Sequence, residues 1–422
     1  MIGTGIFTTT GLMLGILESG WMVLLCWLLG GMIAIAGALS YAELATLMPR
    51  AGGEYVYLRE IYGPLPAFLS GWTSFFVGFS APVAASAVAF ATYLTATGLL
   101  PDSWLAQKSA SVAAIAVLTG IHYVGVRFGS RVQNALTVLN LALLAGMIAA
   151  GFTWQNANWS YLTAGSAFWG SGRWDQVATA LLWAMFAYSG WNAASYLAEE
   201  VEQPERTLPR SLLVGTATVM ALYLLLNLFF FAAAPAEKLR GVEAVAAVAI
   251  GELFGPGAGR WLAAAVCVAL FSAMSAFMMI GPRVYFAMAR DGVFFPFAAR
   301  VHPRFDTPSF SIVAQGVCAA VIALTGTFGQ LLTYIGFALG VFPWLTILGV
   351  ILLRRRDARP RPYAVWAYPL LPVVYLGLMG WVMAVSLINN PKPSFIAIAT
   401  VAAGIPAYYL TAKLRAAAPG RG

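Results

Sequence analysis

The chain has 422 residues, of which 60% are apolar and only 9% are Asp, Glu, Lys or Arg. A soluble domain averages about 45–50% apolar and about 25% charged, so this composition belongs in a bilayer and excludes a nucleic-acid binder, a disulfide scaffold and a disordered chain. The net charge of +8 is what basic cytoplasmic loops give a membrane protein, and it requires no acidic partner.

A membrane-crossing helix needs about 20 apolar residues. Apolar runs separated by charged or Pro/Gly loops predict spans at 1–17, 20–48, 63–98, 107–124, 131–151, 174–199, 208–234, 259–289, 309–327, 329–353, 366–388 and 393–413. That makes twelve, the first of them short. No low-complexity linker or soluble domain interrupts the series, so residues 1–422 read as one all-α, polytopic membrane domain. No basic leader precedes the first run, and no cleavable signal peptide is expected.

Loop charge sets the orientation. With the loop after the second span in the cytoplasm, 18 of the 24 basic residues fall inside. Lys108, Arg173, Lys238, Arg240, Arg260 and Lys392 stay outside. This bias fits the positive-inside rule and puts both termini in the cytoplasm. The longest external loop follows span seven. Its stretch Val242–Leu253 is patterned as an amphipathic helix on the outer mouth.

Cys26, Cys267 and Cys318 lie in apolar runs, so neither a structural disulfide nor a disulfide-linked heavy subunit is expected. Two histidines without CxxC or HxxxH spacing give no metal site, and no cofactor is called for. His122 and His302 fall at cytoplasmic loop edges. No cluster of His, Asp, Glu or Cys lies at membrane depth, which argues against an intramembrane enzyme. Glu43, Glu199 and Glu200 collect with Arg50, Arg206, Arg283 and Arg290 on the cytoplasmic side as candidate inner-gate ion pairs. The run Arg354–Arg356 is expected to be solvated.

Two spans carry small residues where a helix can break: Gly3-Thr4-Gly5 in MIGTGIFTTTG and Ser189-Gly190 in FAYSGWNAASY. Glycine lowers the cost of leaving helical geometry. Unwound backbone survives in a bilayer only where protein or a watery cavity satisfies it. A half-helix N-terminus attracts anions and a half-helix C-terminus attracts cations. An α-amino acid carries one of each. Two such breaks five spans apart fit an inverted five-helix repeat. The competing reading is close helix packing at small residues.

GTGIF, then YAELATLMPRAGGEYVYLREIYGP, resembles the first three spans of the amino acid–polyamine–organocation (APC) permeases. FAYSGWNAASYLAEEVEQPERTLPRSL, RVYFAMARDGVFFP and RPYAVWAYPLLP are similar to the L-type amino acid transporter branch. The resemblance covers almost the whole chain in order. It implies a LeuT-like 5+5 inverted repeat, with residues 1–151 as the first repeat, 174–353 as the second and 366–413 as two additional helices. It also implies alternating access and neutral L-amino acids as substrates. A plasma-membrane monomer is expected, with exchange or proton or sodium coupling left open.

The resemblance implies that the substrate carboxylate meets the N–H groups of Gly3, Thr4 and Gly5, with the Thr4 hydroxyl as a further donor. The ammonium would meet carbonyls of Phe186, Ala187 and Ser189, helped by Ile2. Phe186 matches the aromatic that closes over the substrate from outside, with plain packing as the alternative. Asn192 either touches ligand or holds the unwound segment in shape. Many L-type members read Gly-Gly-Trp where this chain has Ser189-Gly190-Trp191, which implies a narrower side-chain pocket. Asn140 stands where many relatives carry a lysine that substitutes for sodium. Ser272 and Ser275, three apart on one face of span eight, are candidates for an oxygen-lined sodium site; packing serines bonded to their own helix are the alternative. Relatives have a cytoplasmic tail and a half-helix before the first motif, so the chain as written is expected to have a leaky or unstable inner gate. No acidic side chain is expected near either break. That disfavours the rival reading, a polyamine or organic-cation permease. A transport-derived sensor or inactive relative is the third reading.

Overall fold

The computed structural model describes residues 2–50, 52–125, 129–153, 158–163, 173–290, 292–357 and 359–416. Arg127 and Arg421 lie outside the described residues, as do the side chains of Arg131, Glu200 and Arg415. The chain is all-α. Its helices are α1 (Thr4–Leu17), α2 (Gly20–Leu47), α3 (Glu54–Tyr62), α4 (Pro64–Thr73), α5 (Ala81–Ala96), α6 (Trp104–Val124), α7 (Gly129–Thr153) and the single turn α8 (Ser160–Thr163). The second half holds α9 (Trp174–Ala187), α10 (Pro204–Ala233), the single turn α11 (Ala236–Leu239), α12 (Val245–Phe254), α13 (Pro256–Arg290), α14 (Ser309–Thr325), α15 (Phe328–Arg356), α16 (Leu370–Asn389) and α17 (Pro391–Ala416). Among the described residues, eight helices or helix pairs are long and apolar enough to cross a membrane. Shorter apolar helices include α1 and α14. The structure thus bears out an all-α polytopic membrane protein.

Local chemistry explains the boundaries. Proline opens α4, α10 and α17, where its missing N–H is not needed. Ser103 caps α6 by accepting from the Ala106 N–H, and Thr327 and Gln330 form a reciprocal capping box on α15. The third span is one continuous crossing, but a wider π-type turn over Ser74–Ser80 joins α4 to α5. Such turns free carbonyls inside a helix, and here the Ser80 hydroxyl donates to the Phe75 carbonyl at 2.7 Å.

Membrane helices gain little from hydrophobicity alone and must approach closely. Accordingly α2 packs on α10, α5 on α13 and α1 on α9. A side chain at Gly336 would sit 2.9 Å from the Leu182 carbonyl, which shows how close α15 comes to α9. The helix expected within Val242–Leu253 forms, but over Val245–Phe254. It is not a loose surface helix. Val245, Ala246, Ala249 and Leu253 are buried, and α12 packs on α13, α10 and α1. The Gly241 N–H donates to the Gly11 carbonyl at 2.8 Å, which ties this loop to the middle of α1.

Two expectations are corrected. Glu43 is buried, and it pairs with Arg354 and Arg361 rather than with Arg50, Arg206, Arg283 or Arg290. Arg354 is therefore not a solvated member of its run. His122 lies in the last turn of α6, at the loop edge as expected, but it is buried there; its Nε2 meets the Ser275 hydroxyl of α13 at 3.0 Å.

Candidate functional site

Helix α9 stops at Ala187. Residues 188–192 are turns, and the chain resumes as a 3-10 helix over Ala193–Glu200. Gly190 has φ +91°, a left-handed backbone that L side chains rarely adopt. The last carbonyls of α9 leave the regular ladder. Phe186 accepts from the Ser189 N–H at 3.0 Å, and Ala187 accepts from the Tyr223 hydroxyl of α10 at 3.1 Å.

Helix α1 begins at Thr4, with Gly3 in extended backbone before it. The first N–H groups of any helix lack an intrahelical partner and carry the positive end of its dipole. These groups lie beside the end of α9. A Cβ built on Gly5 would fall 2.4 Å from the Ala187 Cβ and 2.6 Å from its Cα. No residue but glycine fits there. The donor end of one helix and the acceptor end of another therefore meet at Gly5 and Ala187, a pairing suited to a zwitterion.

Neighbouring elements fix both ends. The Thr4 hydroxyl shares a short hydrogen bond with the Ser86 hydroxyl of α5, and the Tyr93 hydroxyl donates to the Phe7 carbonyl at 2.6 Å. Ala273 of α13 faces Gly3. Phe186 is buried beside the break. Tyr188 donates to the Trp27 carbonyl at 2.9 Å, and Trp191 packs edge-on against Tyr41 and Tyr375. The turn is thus rigidly seated although its backbone is irregular.

The structure brings Gly3, Thr4, Gly5, Phe186 and Ala187 to one place, with Ser189 at the partly open edge of the turn. The Asn192 amide points elsewhere: its Nδ2 donates to Glu54 Oε1 at 3.0 Å. This corrects the expectation that no acid lies near either break. Glu54 is only 7% exposed, and the Tyr41 hydroxyl donates to the same oxygen at 2.6 Å. Burial pushes its carboxyl up to about 7, against the opposing pull of hydrogen bonds from Tyr41, Ser70 and Asn192. Asn140 is buried on α7, which packs against α10 and α13. Ser272 is buried on α13, and Ser275 meets His122.

Sequence reasoning missed Ser86, Tyr93, Tyr223 and Glu54. The first three are single polar side chains on long apolar helices, and nothing local marks their partners. Glu54 had a signal: it is a lone acid before the aromatic run in GGEYVYL.

A many-helix membrane bundle with paired helix ends facing one another at a broken span has the architecture of a membrane transporter. Comparison with known proteins identifies which kind. The amino acid permease family model matches residues 1–406, and the chain belongs to that family. It is 31% identical to the mouse Asc-type amino acid transporter 1 over 97% of this chain and 78% of the relative. It is 30% identical to the human large neutral amino acids transporter small subunit 2, over 97% and 77%. It is 29% identical to the serine/threonine exchanger SteT of Bacillus subtilis, over 99% and 94%. These relatives bear out the APC superfamily and its L-type branch, and they make the chain a transporter rather than an enzyme.

Proposed function

We propose that the protein moves small neutral L-amino acids across the plasma membrane by alternating access. The observation that carries this is the meeting of the α1 N-terminus with the α9 C-terminus at Gly5 and Ala187. In this reading the Thr4 and Gly5 N–H groups take the carboxylate, with Gly3 and the Thr4 hydroxyl beside them. Carbonyls of Phe186, Ala187 and Ser189, with Ile2, take the ammonium. Phe186 closes the site from outside. Asn192 holds the unwound segment through Glu54. The Asn140, Ser272 and Ser275 region remains the candidate for ion coupling. Residues 1–151 and 174–353 act as inverted repeats, with both termini in the cytoplasm. Relatives described as Asc-type, large-neutral and serine/threonine transporters support a neutral substrate.

A thermal-shift screen of the twenty amino acids, followed by uptake of the hits into proteoliposomes, tests this. Saturable flux of a small neutral amino acid is expected. Stabilisation without flux in any gradient would instead identify a sensor. Glu54 is the one observation favouring an organic cation, so putrescine and agmatine belong in the screen; its Oε1 is already committed to Tyr41 and Asn192. Ser189→Gly removes the hydroxymethyl at the open edge of the turn. The expected result is an increase of about threefold or more in uptake of leucine relative to serine, since each added methylene is worth about 1 kcal/mol in an apolar pocket. An unchanged leucine-to-serine ratio counts against the pocket assignment.

A further inference from the structure

Glu54 opens α3, which lies between the second and third spans and outside both. Three contacts fasten this helix start to the chain that follows the α9 break. Asn192 donates to Glu54, the Gly52 N–H donates to the Tyr196 carbonyl at 3.2 Å, and the Tyr57 hydroxyl reaches the Ser195 carbonyl at 3.5 Å. A Cβ at Gly53 would meet the Tyr196 ring at 2.9 Å. The fourth tie is Tyr41, which joins the same carboxyl to α2. One acidic group therefore sits where a fixed helix pair and the second half of span six are held together. The titratable groups facing it are the phenols Tyr41 (α2), Tyr57 (α3), Tyr196 (the 3-10 segment) and Tyr375 (α16), joined by the neutral Ser70 and Asn192. Among the described residues, no guanidinium or ammonium is one of them.

We propose that Glu54 is a proton-binding residue of the transport cycle: it carries a proton while sealed between α2, α3 and the span-six turn, and it releases that proton to cytoplasmic water when the seal opens. This rests on the transporter reading above and names a coupling site within it. The O–H bond of the carboxylic acid breaks, its electron pair stays on the carboxylate, and the proton passes to water. Linkage then fixes the direction. A carboxyl held near 7 when packed, and near the ordinary glutamate value when wet, stabilises the packed state below about pH 4.5. That stabilisation is lost as pH rises through about 7. Alkaline pH therefore favours opening. An amino acid substrate is a zwitterion throughout this range, so the dependence belongs to the protein.

The test is serine-for-serine exchange by the full chain in proteoliposomes between pH 5.5 and 8.5, together with thermal unfolding over the same range. In the unsubstituted protein, exchange should rise at least about threefold with a midpoint near 7. Glu54→Gln should hold exchange at its acid-limb value throughout, while serine still stabilises the variant at pH 6. Its unfolding temperature should gain on the parent as pH rises. Tyr41→Phe keeps the carboxyl but removes one hydrogen bond to its charged form, so the midpoint should move upward by about half a unit or more. A Glu54→Gln profile identical to the parent's would overturn the proposal. If that variant does not fold, an unmoved midpoint in Tyr41→Phe overturns it. Absence of exchange in the parent at every pH refutes the transporter reading and the coupling together, whereas pH-dependent exchange surviving in Glu54→Gln refutes the coupling alone.

Discussion

Gly5→Ala is expected to abolish amino acid binding while leaving the protein folded. The added methyl would meet the Ala187 Cβ at 2.4 Å and its Cα at 2.6 Å. Neither atom can swing aside, because one belongs to the main chain and the other is bonded to it. Helix α1 must instead retreat from the end of α9. Overpacking of this kind costs about 1–3 kcal/mol. The loss in function should be larger than the loss in stability, because a displacement near 1 Å separates the donors from the acceptors, and misplacement on that scale costs about a hundredfold in a positioned site. The measurement is a paired one: unfolding temperature with and without serine, and initial uptake into proteoliposomes. The serine-induced shift should vanish, and uptake should fall by at least about tenfold. Ala187→Gly removes the nearer of the two clashing atoms. Added to Gly5→Ala, it should restore part of the serine shift. A Gly5→Ala protein that binds and transports serine like its parent would show that the two helix ends are not the substrate site.

The sequence carried this geometry unevenly. Eleven of the twelve apolar runs appear as helical segments within a few residues of their predicted bounds, and the sixth is interrupted after Ala187; about 20 apolar residues in a bilayer have no other way to satisfy their backbone. The break after Ala187 was legible from Ser189-Gly190, since glycine lowers the cost of leaving helical geometry, although close packing was a competing reading. That the two breaks serve one substrate was not readable from spacing alone and came from the family resemblance; the contact of Gly5 with Ala187 is a finding of the structure. The polar ties were the least legible. Thr4 with Ser86 and Ala187 with Tyr223 join residues far apart in the chain, and a single serine or tyrosine on an apolar helix gives no hint of which neighbour it faces. Charges misled in a systematic way. Glu43 was assigned by its place near a loop and Glu54 was passed over, yet both are buried. Loop position says which end of the bundle holds a residue and says nothing about whether it points inward.

Glu43→Gln is expected to be strongly destabilising for a single-atom exchange. Glu43 lies in the last turns of α2 and is 1% exposed. Its Oε1 accepts from Arg354 Nε at 2.8 Å and Arg361 Nε at 2.9 Å, while Oε2 accepts from a second Arg354 nitrogen and from the Val365 N–H at 2.9 Å. One carboxylate thus closes four donors from the end of α15 and the loop before α16. Arg354 also lies over the Tyr368 ring at 3.8 Å, which holds the guanidinium in place. An amide there turns one acceptor into a donor facing donors, and it takes from Arg354 and Arg361 the carboxylate charge they share. Breaking one side of a buried pair costs about 3–5 kcal/mol. The two arginines are partly exposed, so the lower end applies, about 3 kcal/mol. The unfolding temperature in mild detergent should fall by several degrees, and the 357–369 loop should become an early site of proteolysis. Arg355→Ala, at the exposed neighbour of Arg354, is the control and should stay within about 0.5 kcal/mol. Salt separates this clasp from a surface pair. A buried carboxylate is screened little, so half-molar sodium chloride should leave the gap between Glu43→Gln and its parent unchanged. A gap that closes in salt would mean that Glu43 is solvated in the working protein, and the tie between α2, α15 and the following loop would be lost as an element of the fold.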